Sequence, residues 1–103
     1  MIDEKKKTLE LKASQRKYLK GLAHRLKPVV QVGQDGVTEA VLGAVDAALL
    51  THELIKVRLE EPEDKKGDAQ ALAQGTQSFF CSLVGHTVTL YRPNPEEPKI
   101  RLP

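Results

Sequence analysis

An α/β fold with a mixed four-stranded sheet packed with helices is predicted by three features of the sequence. Helix-like periodicity and short β-branched runs succeed one another along the chain, which is the pattern of strands joined by helical crossovers. Leu54 to Glu60 alternates cleanly, with Ile55, Val57 and Leu59 on one face and Lys56, Arg58 and Glu60 on the other, as in a half-buried strand. Two further apolar runs, Phe79–Val84 and Thr87–Arg92, flank the dipeptide Gly85-His86, a spacing that suits a β-hairpin. The order these features define is α-β-α-β-α-β-β. The single core this implies is within reach of a 103-residue chain.

Residues 1–13 are Lys-rich and lack a core-forming pattern, so they are expected to form a flexible basic tail ahead of a domain at 14–93. Ser14 is a suitable N-cap for a first helix running to about Leu26. On a helical wheel Tyr18, Leu19, Leu22, Ala23 and Leu26 share the arc expected to be buried. Arg16, Lys17, Lys20 and His24 share another arc, continued by Lys27, and it is nearly free of the acids that would pair with it in a merely solvated helix. Gly21 lies mid-helix on this basic side, where it costs about 1 kcal/mol relative to alanine. Pro28 ends the helix by disfavouring the α conformation at Lys27.

Val29–Val32 then reads as a short buried strand and Gly33-Gln34-Asp35-Gly36 as a tight loop. Thr38 should cap a second helix, with Glu39 in its first turn complementing the dipole. Val41, Leu42, Val45 and Leu49 form its apolar stripe, and it should end near His52. Its outer side carries Glu39 and Asp46, which disfavours a nucleic-acid surface there. After the alternating strand, residues 60–68 form a polar connection leading to a weaker helix over 68–74. The last stretch, 94–103, is Pro-rich and expected to be irregular.

Charge is distributed unevenly. Residues 1–30 carry nine Lys/Arg against three acids, whereas the rest carry seven against eleven, so one side of the molecule should be basic and face an anionic partner. The strand–GQDG–helix unit strengthens that expectation. Glycines let a ligand backbone approach, and free N–H groups at a helix start attract negative charge. In the loop of KH domains the same spacing clamps a nucleic-acid backbone. Asp35 opposes phosphate unless it turns away to serve the turn.

Several blocks carry a family resemblance. Lys20-Gly21-Leu22-Ala23-His24-Arg25-Leu26-Lys27-Pro28-Val29-Val30-Gln31-Val32-Gly33, then Gly36-Val37-Thr38-Glu39, His52-Glu53-Leu54-Ile55-Lys56-Val57 and Leu90-Tyr91-Arg92-Pro93 closely resemble the YhbY-like family. These are the CRM-domain proteins, named for chloroplast RNA splicing and ribosome maturation, and a lone short domain resembles the bacterial form. The resemblance implies a fold similar to the C-terminal domain of translation initiation factor three. It also implies binding to structured RNA through the GxxG loop, with ribosomal RNA of a large-subunit precursor as partner. Carried onto this chain, the RNA-binding set is Arg16, Lys20, His24, Lys27, Gly33, Gln34, Asp35, Gly36, Lys56 and Arg92. Asp35 departs from the basic or neutral residue many members carry, which predicts weaker phosphate affinity. The third helix is poorer in apolar residues than the family pattern.

Other function classes lack support in the residues. His24, His52 and His86 fall on different elements, and Cys81 is the only cysteine, so no metal site is predicted. No phosphate-binding, dinucleotide or nucleophile-elbow motif is present, and neither a cofactor nor enzymatic activity is expected. No apolar run reaches the ~20 residues of a membrane span, and the start lacks an apolar signal core, so a cytoplasmic location is expected. Tyr18, Phe79 and Phe80 are expected in the core and Tyr91 exposed, which leaves little surface for base stacking and favours recognition by shape and phosphate. The competing reading is a protein-interaction module docking through the acidic second helix or the open sheet face, without direct RNA contact.

Overall fold

The computed structural model describes residues 11–103; the segment 1–10, most of the expected basic tail, lies outside the described residues. The elements are α1 (Ala13–Ala23), β1 (Val30–Val32), α2 (Glu39–His52), β2 (Leu54–Leu59), α3 (Lys65–Thr76), β3 (Phe79–Val84) and β4 (Thr87–Tyr91), in the predicted order. The sheet order is β1-β2-β4-β3. β1 pairs parallel with β2, while β4 runs antiparallel to both β2 and β3. β1, β2 and β3 therefore share one direction, as strands linked by helical crossovers must, and the closing hairpin inserts β4 between β2 and β3.

The period-2 alternation assigns each strand residue to a layer. Ile55, Val57, Leu59, Val88 and Leu90 meet Val45, Leu49, Ala69 and Leu72 from α2 and α3 in the main core. α2 starts as predicted, with the Thr38 hydroxyl accepting from the Val41 N–H at 3.2 Å. α3 is longer than expected because Asp64 caps it, its Oδ1 accepting from the Gly67 N–H at 3.0 Å. Its low apolar content suffices because it crosses α2 closely. A Cβ on Gly75 would come within 2.7 Å of Leu42 Cδ2, so glycine makes that approach possible.

The other face of the sheet is only partly covered. α1 lays Leu19 and Ala23 over Leu54, Cys81 and Tyr91, forming a second and smaller cluster. This corrects three expectations. Tyr18, Leu22 and Leu26 are 42%, 41% and 39% exposed rather than buried, because the apolar arc of α1 is wider than the surface beneath it and the helix ends at Ala23, short of Leu26. Tyr91 is buried, not exposed, with its ring stacked on Phe79 at a centroid distance of 6.1 Å. Phe80 is exposed, not in the core, because it sits on the outer edge strand.

α1 also begins earlier than Ser14 suggested. Lys12 occupies the cap position, and its N–H donates to Gln15 Oε1 at 2.9 Å. It stops at Ala23, after which the chain turns so that the Val29 N–H donates to the Lys56 carbonyl at 3.0 Å and leads into β1.

The Pro-rich C-terminal segment is irregular but firmly held. Glu53 is fully buried at the end of α2, with a positive φ of 64°. Its carboxylate accepts from the backbone N–H groups of Asn94 (2.7 Å), Lys99 (2.9 Å) and Ile100 (3.0 Å). Ile100 and Leu102 consequently pack against the α1 cluster. Burial pushes the Glu53 pKa up, but these three N–H donors and the charge of Lys99 outweigh it and hold the carboxyl below its ordinary range.

Candidate nucleic-acid interface

The uncovered part of the sheet continues the face on which α1 rests. Along β2, Leu54 lies under α1, and the next two residues of the same face are Lys56 and Arg58. Their register partners on β4 are Thr89 and Thr87. A β-bulge at Cys81 shifts the register of β3 so that Ser82 pairs with Thr89. Lys20, His24 and Pro28 close one side. Together these residues line an open hollow of about 390 Å³ whose walls contain four groups able to carry positive charge, three hydroxyls and no acid. Hydroxyls and cations on a concave floor suit phosphate and ribose oxygens.

The GQDG loop follows β1, on the Arg58 side of the hollow, without lining it. Gln31 pairs with Arg58, and Gly33 follows two residues later. The Gly36 N–H donates to the Gly33 carbonyl at 3.0 Å, and Gly36 has φ +76°, a conformation glycine adopts without strain. Gln34 and Asp35 are exposed at the tip, and the turn is closed by backbone rather than by the Asp35 carboxylate. Because Gly36 and Val41 spend their N–H groups inside the protein, the loop and the start of α2 contribute fewer free donors than their sequence promised. Glu39 and Asp35 add negative charge beside it.

The structure thus gathers Lys20, His24 and Lys56 in one hollow and separates the other expected residues. Arg16 is exposed one turn earlier on α1, close enough for its charge to act on the Cys81 thiol, which burial pushes up to about 12. Lys27 faces a different, mostly apolar hollow of about 440 Å³ between Leu22, Val29 and Ile100. Arg92 follows Tyr91 and so turns to the opposite side of the sheet. Its guanidinium donates to Asp46 Oδ1 at 2.7 Å, to the Thr76 carbonyl at 2.7 Å and to the Asp46 carbonyl at 3.2 Å. That cross-links α2 and α3 and occupies the side chain. Arg58 is the residue the sequence reading left out of the site, although the alternation had already placed it on the face of Lys56. Among the described residues no group of three or more His, Cys, Asp or Glu is arranged to hold a metal ion, and no helix is long and apolar enough to cross a membrane.

Fold and site together define a small α/β domain with an open cationic sheet face. Residues 11–92 match the CRS1/YhbY (CRM) domain, and the chain belongs to that family. It is similar to an "RNA-binding protein" of Haemophilus influenzae, 44% identical over 95 residues, covering 90% of this chain and 95% of the relative. It is also similar to "Probable RNA-binding protein YqeI" of Bacillus subtilis, 37% identical over 95 residues, covering 90% and 99% of the two chains. The solution structure of a hypothetical protein from Staphylococcus aureus superposes with a TM-score of 0.80 at 34% identity, covering 91% of this chain and all of that one. The α-β-α-β-α-β-β architecture is therefore shared with a solved relative.

Proposed function

We propose that this protein binds structured ribosomal RNA in a precursor of the large ribosomal subunit and assists its assembly in the cytoplasm. The observation that carries the RNA-binding part is the acid-free hollow between α1 and the sheet, where Lys20, His24, Lys56 and Arg58 surround a floor of Ser82, Thr87 and Thr89. Its relatives in the Haemophilus and Bacillus genomes bear RNA-binding names, which supports the same ligand class. The resemblance to stand-alone YhbY-like proteins supports the ribosomal partner. Lys and Arg neutralise phosphates, Thr and Ser hydroxyls bond phosphate or 2′-hydroxyl oxygens, and the Gly33–Gly36 turn lets backbone approach beside the hollow. On the outer side of α2, Asp46 is paired with Arg92, which partly neutralises the charge it would offer a protein partner, while Glu39 is exposed.

The test is binding to large-subunit rRNA fragments, with small-subunit fragments as controls, across a salt series. Each neutralised phosphate contributes about −0.7 to −0.9 to the log–log slope. The double substitution Lys56→Glu/Arg58→Glu should flatten the slope by about 1.5 and weaken binding at every salt concentration. Lys27→Glu, on the apolar hollow, should leave it unchanged. Salt-independent binding, or equal binding by wild type and the double variant, would contradict the assigned face. No preference for large-subunit fragments would contradict the ribosomal assignment.

A further inference from the structure

We infer that the outer edge of β3 holds a pocket for one unstacked nucleobase of the bound RNA, with Phe80 as its stacking surface. The inference rests on the RNA-binding reading and adds a subsite to it. Phe80 is 41% exposed, although its register partner Leu90 is completely buried. Its ring is partly exposed on an edge strand, where it offers a face on which a base can stack. It stands in a groove of about 640 Å³, within the roughly 300–1,000 Å³ usual for small-ligand sites.

The opposite wall is a stripe of α3. Lys66, Gln70 and Gln74 succeed one another at four-residue spacing, so they share one helix face, and all three are exposed along the groove. A glutamine amide offers both donors and an acceptor, as the edge of a base requires. Lys66 sits towards one end, and Lys20 borders both this groove and the cationic hollow. A single RNA strand leaving the hollow over Lys20, Ser82 and Val84, which border both sites, would pass Lys66 with a phosphate and bring a base to Phe80 at the far end of the groove. No acid lines the groove.

An extended peptide is the poorer occupant. Strand addition needs a regular row of backbone donors and acceptors, whereas β3 is bulged at Cys81, in the middle of its edge. Stacking on an exposed ring needs no such row and tolerates any base.

The chain contains no tryptophan, so Phe80→Trp installs its only tryptophan in the pocket, excited selectively over the two tyrosines. Titration with an RNA hairpin carrying one unpaired base in its stem, its loop replaced by a non-nucleoside linker as in every RNA compared, should quench it. A fully paired hairpin of the same length, or one with an abasic linker at the unpaired position, should not. Phe80→Ala should lower affinity for the unpaired-base hairpin by about tenfold and leave the paired hairpin within about twofold. The side chain is half in water already, and circular dichroism of the variant checks that it folds. Equal quenching by both hairpins, or no loss on Phe80→Ala, overturns the pocket. If Lys56→Glu/Arg58→Glu still weakens both RNAs in that case, the cationic hollow stands without it. If the wild type binds neither RNA, the RNA-binding reading and the pocket both fail. Quenching by an oligoglutamate peptide but not by RNA would assign the groove to protein instead.

Discussion

Replacing Glu53 by glutamine removes one charge and no bulk, yet it should be among the more damaging single changes in the molecule. The carboxylate is 1% exposed and its two oxygens receive three backbone N–H groups between 2.7 and 3.0 Å. Hydrogen bonds to a charged acceptor contribute about 1.5–3 kcal/mol each, non-additively and offset by desolvation of the carboxylate. In the amide an NH₂ faces one set of those donors, so a contact is opposed as well as lost. A net cost of about 2–4 kcal/mol follows, or roughly 10–20 °C in Tm for a domain of this size. Loss of the latch also frees Ile100 and Leu102 from the α1 cluster, so trypsin should cut faster after Lys99 and Arg101. Acid should act on the same group. The folded pKa is lowered, so this stabilisation is complete above the ordinary value of 4.5 and is lost as pH falls through the lower folded value. Wild-type stability should therefore decline below about pH 4.5 with a component absent from Glu53→Gln. Urea melts from pH 7 down to 3, with timed proteolysis, measure both effects. A variant within about 0.5 kcal/mol of wild type, with an unchanged tail cleavage rate, would refute the reasoning.

Three further outcomes are expected. Arg92→Met should cost about 1–2 kcal/mol in urea melts, most of it from leaving the Thr76 carbonyl without its donor since Asp46 is half exposed, and the folded variant should bind RNA as wild type does. A fall in RNA affinity without a fall in stability would return Arg92 to the binding surface. Cys81, with its thiol pushed up to about 12 by burial, should resist iodoacetamide at pH 8 in the native protein and react readily in urea; fast native labelling would contradict its burial. Gly36→Ala should destabilise by about 1–2 kcal/mol, because its φ of +76° is strained for an L-residue although open space surrounds the new Cβ. A neutral result in thermal melts would show that the turn relaxes.

The element order was legible because most elements carry a local chemical signal: Thr38 at a cap, Gly85 in a turn, and the alternation of 54–60, whereas the first helix ends at Ala23, before the Pro28 expected to stop it. What stayed hidden depends on partners distant in the chain. The α1 wheel shows an apolar arc but not how little sheet lies under it, so Tyr18, Leu22 and Leu26 read as core. Arg92 reads as a free cation because Asp46 and Thr76 meet it only after folding. The Pro-rich segment reads as loose because the docking of Ile100 and Leu102 depends on a buried glutamate that accepts from the N–H groups of Lys99 and Ile100, 46 and 47 positions away. Within the site, Lys20, His24 and Lys56 were named from sequence, while Arg58 was passed over despite sharing the Lys56 face. The loop was recognisable, but its internal Gly36–Gly33 bond was not.

The most direct test is an amide NMR titration of the protein with a large-subunit rRNA fragment. The account predicts shifts concentrated at Lys20, His24, Lys56, Arg58, Ser82, Thr87 and Thr89, extending to Gly33–Gly36, with Glu39–Asp46 of α2 and the surroundings of Lys27 little changed. Shifts centred instead on α2 or the apolar hollow by Lys27, or no shifts on addition of RNA, would contradict it.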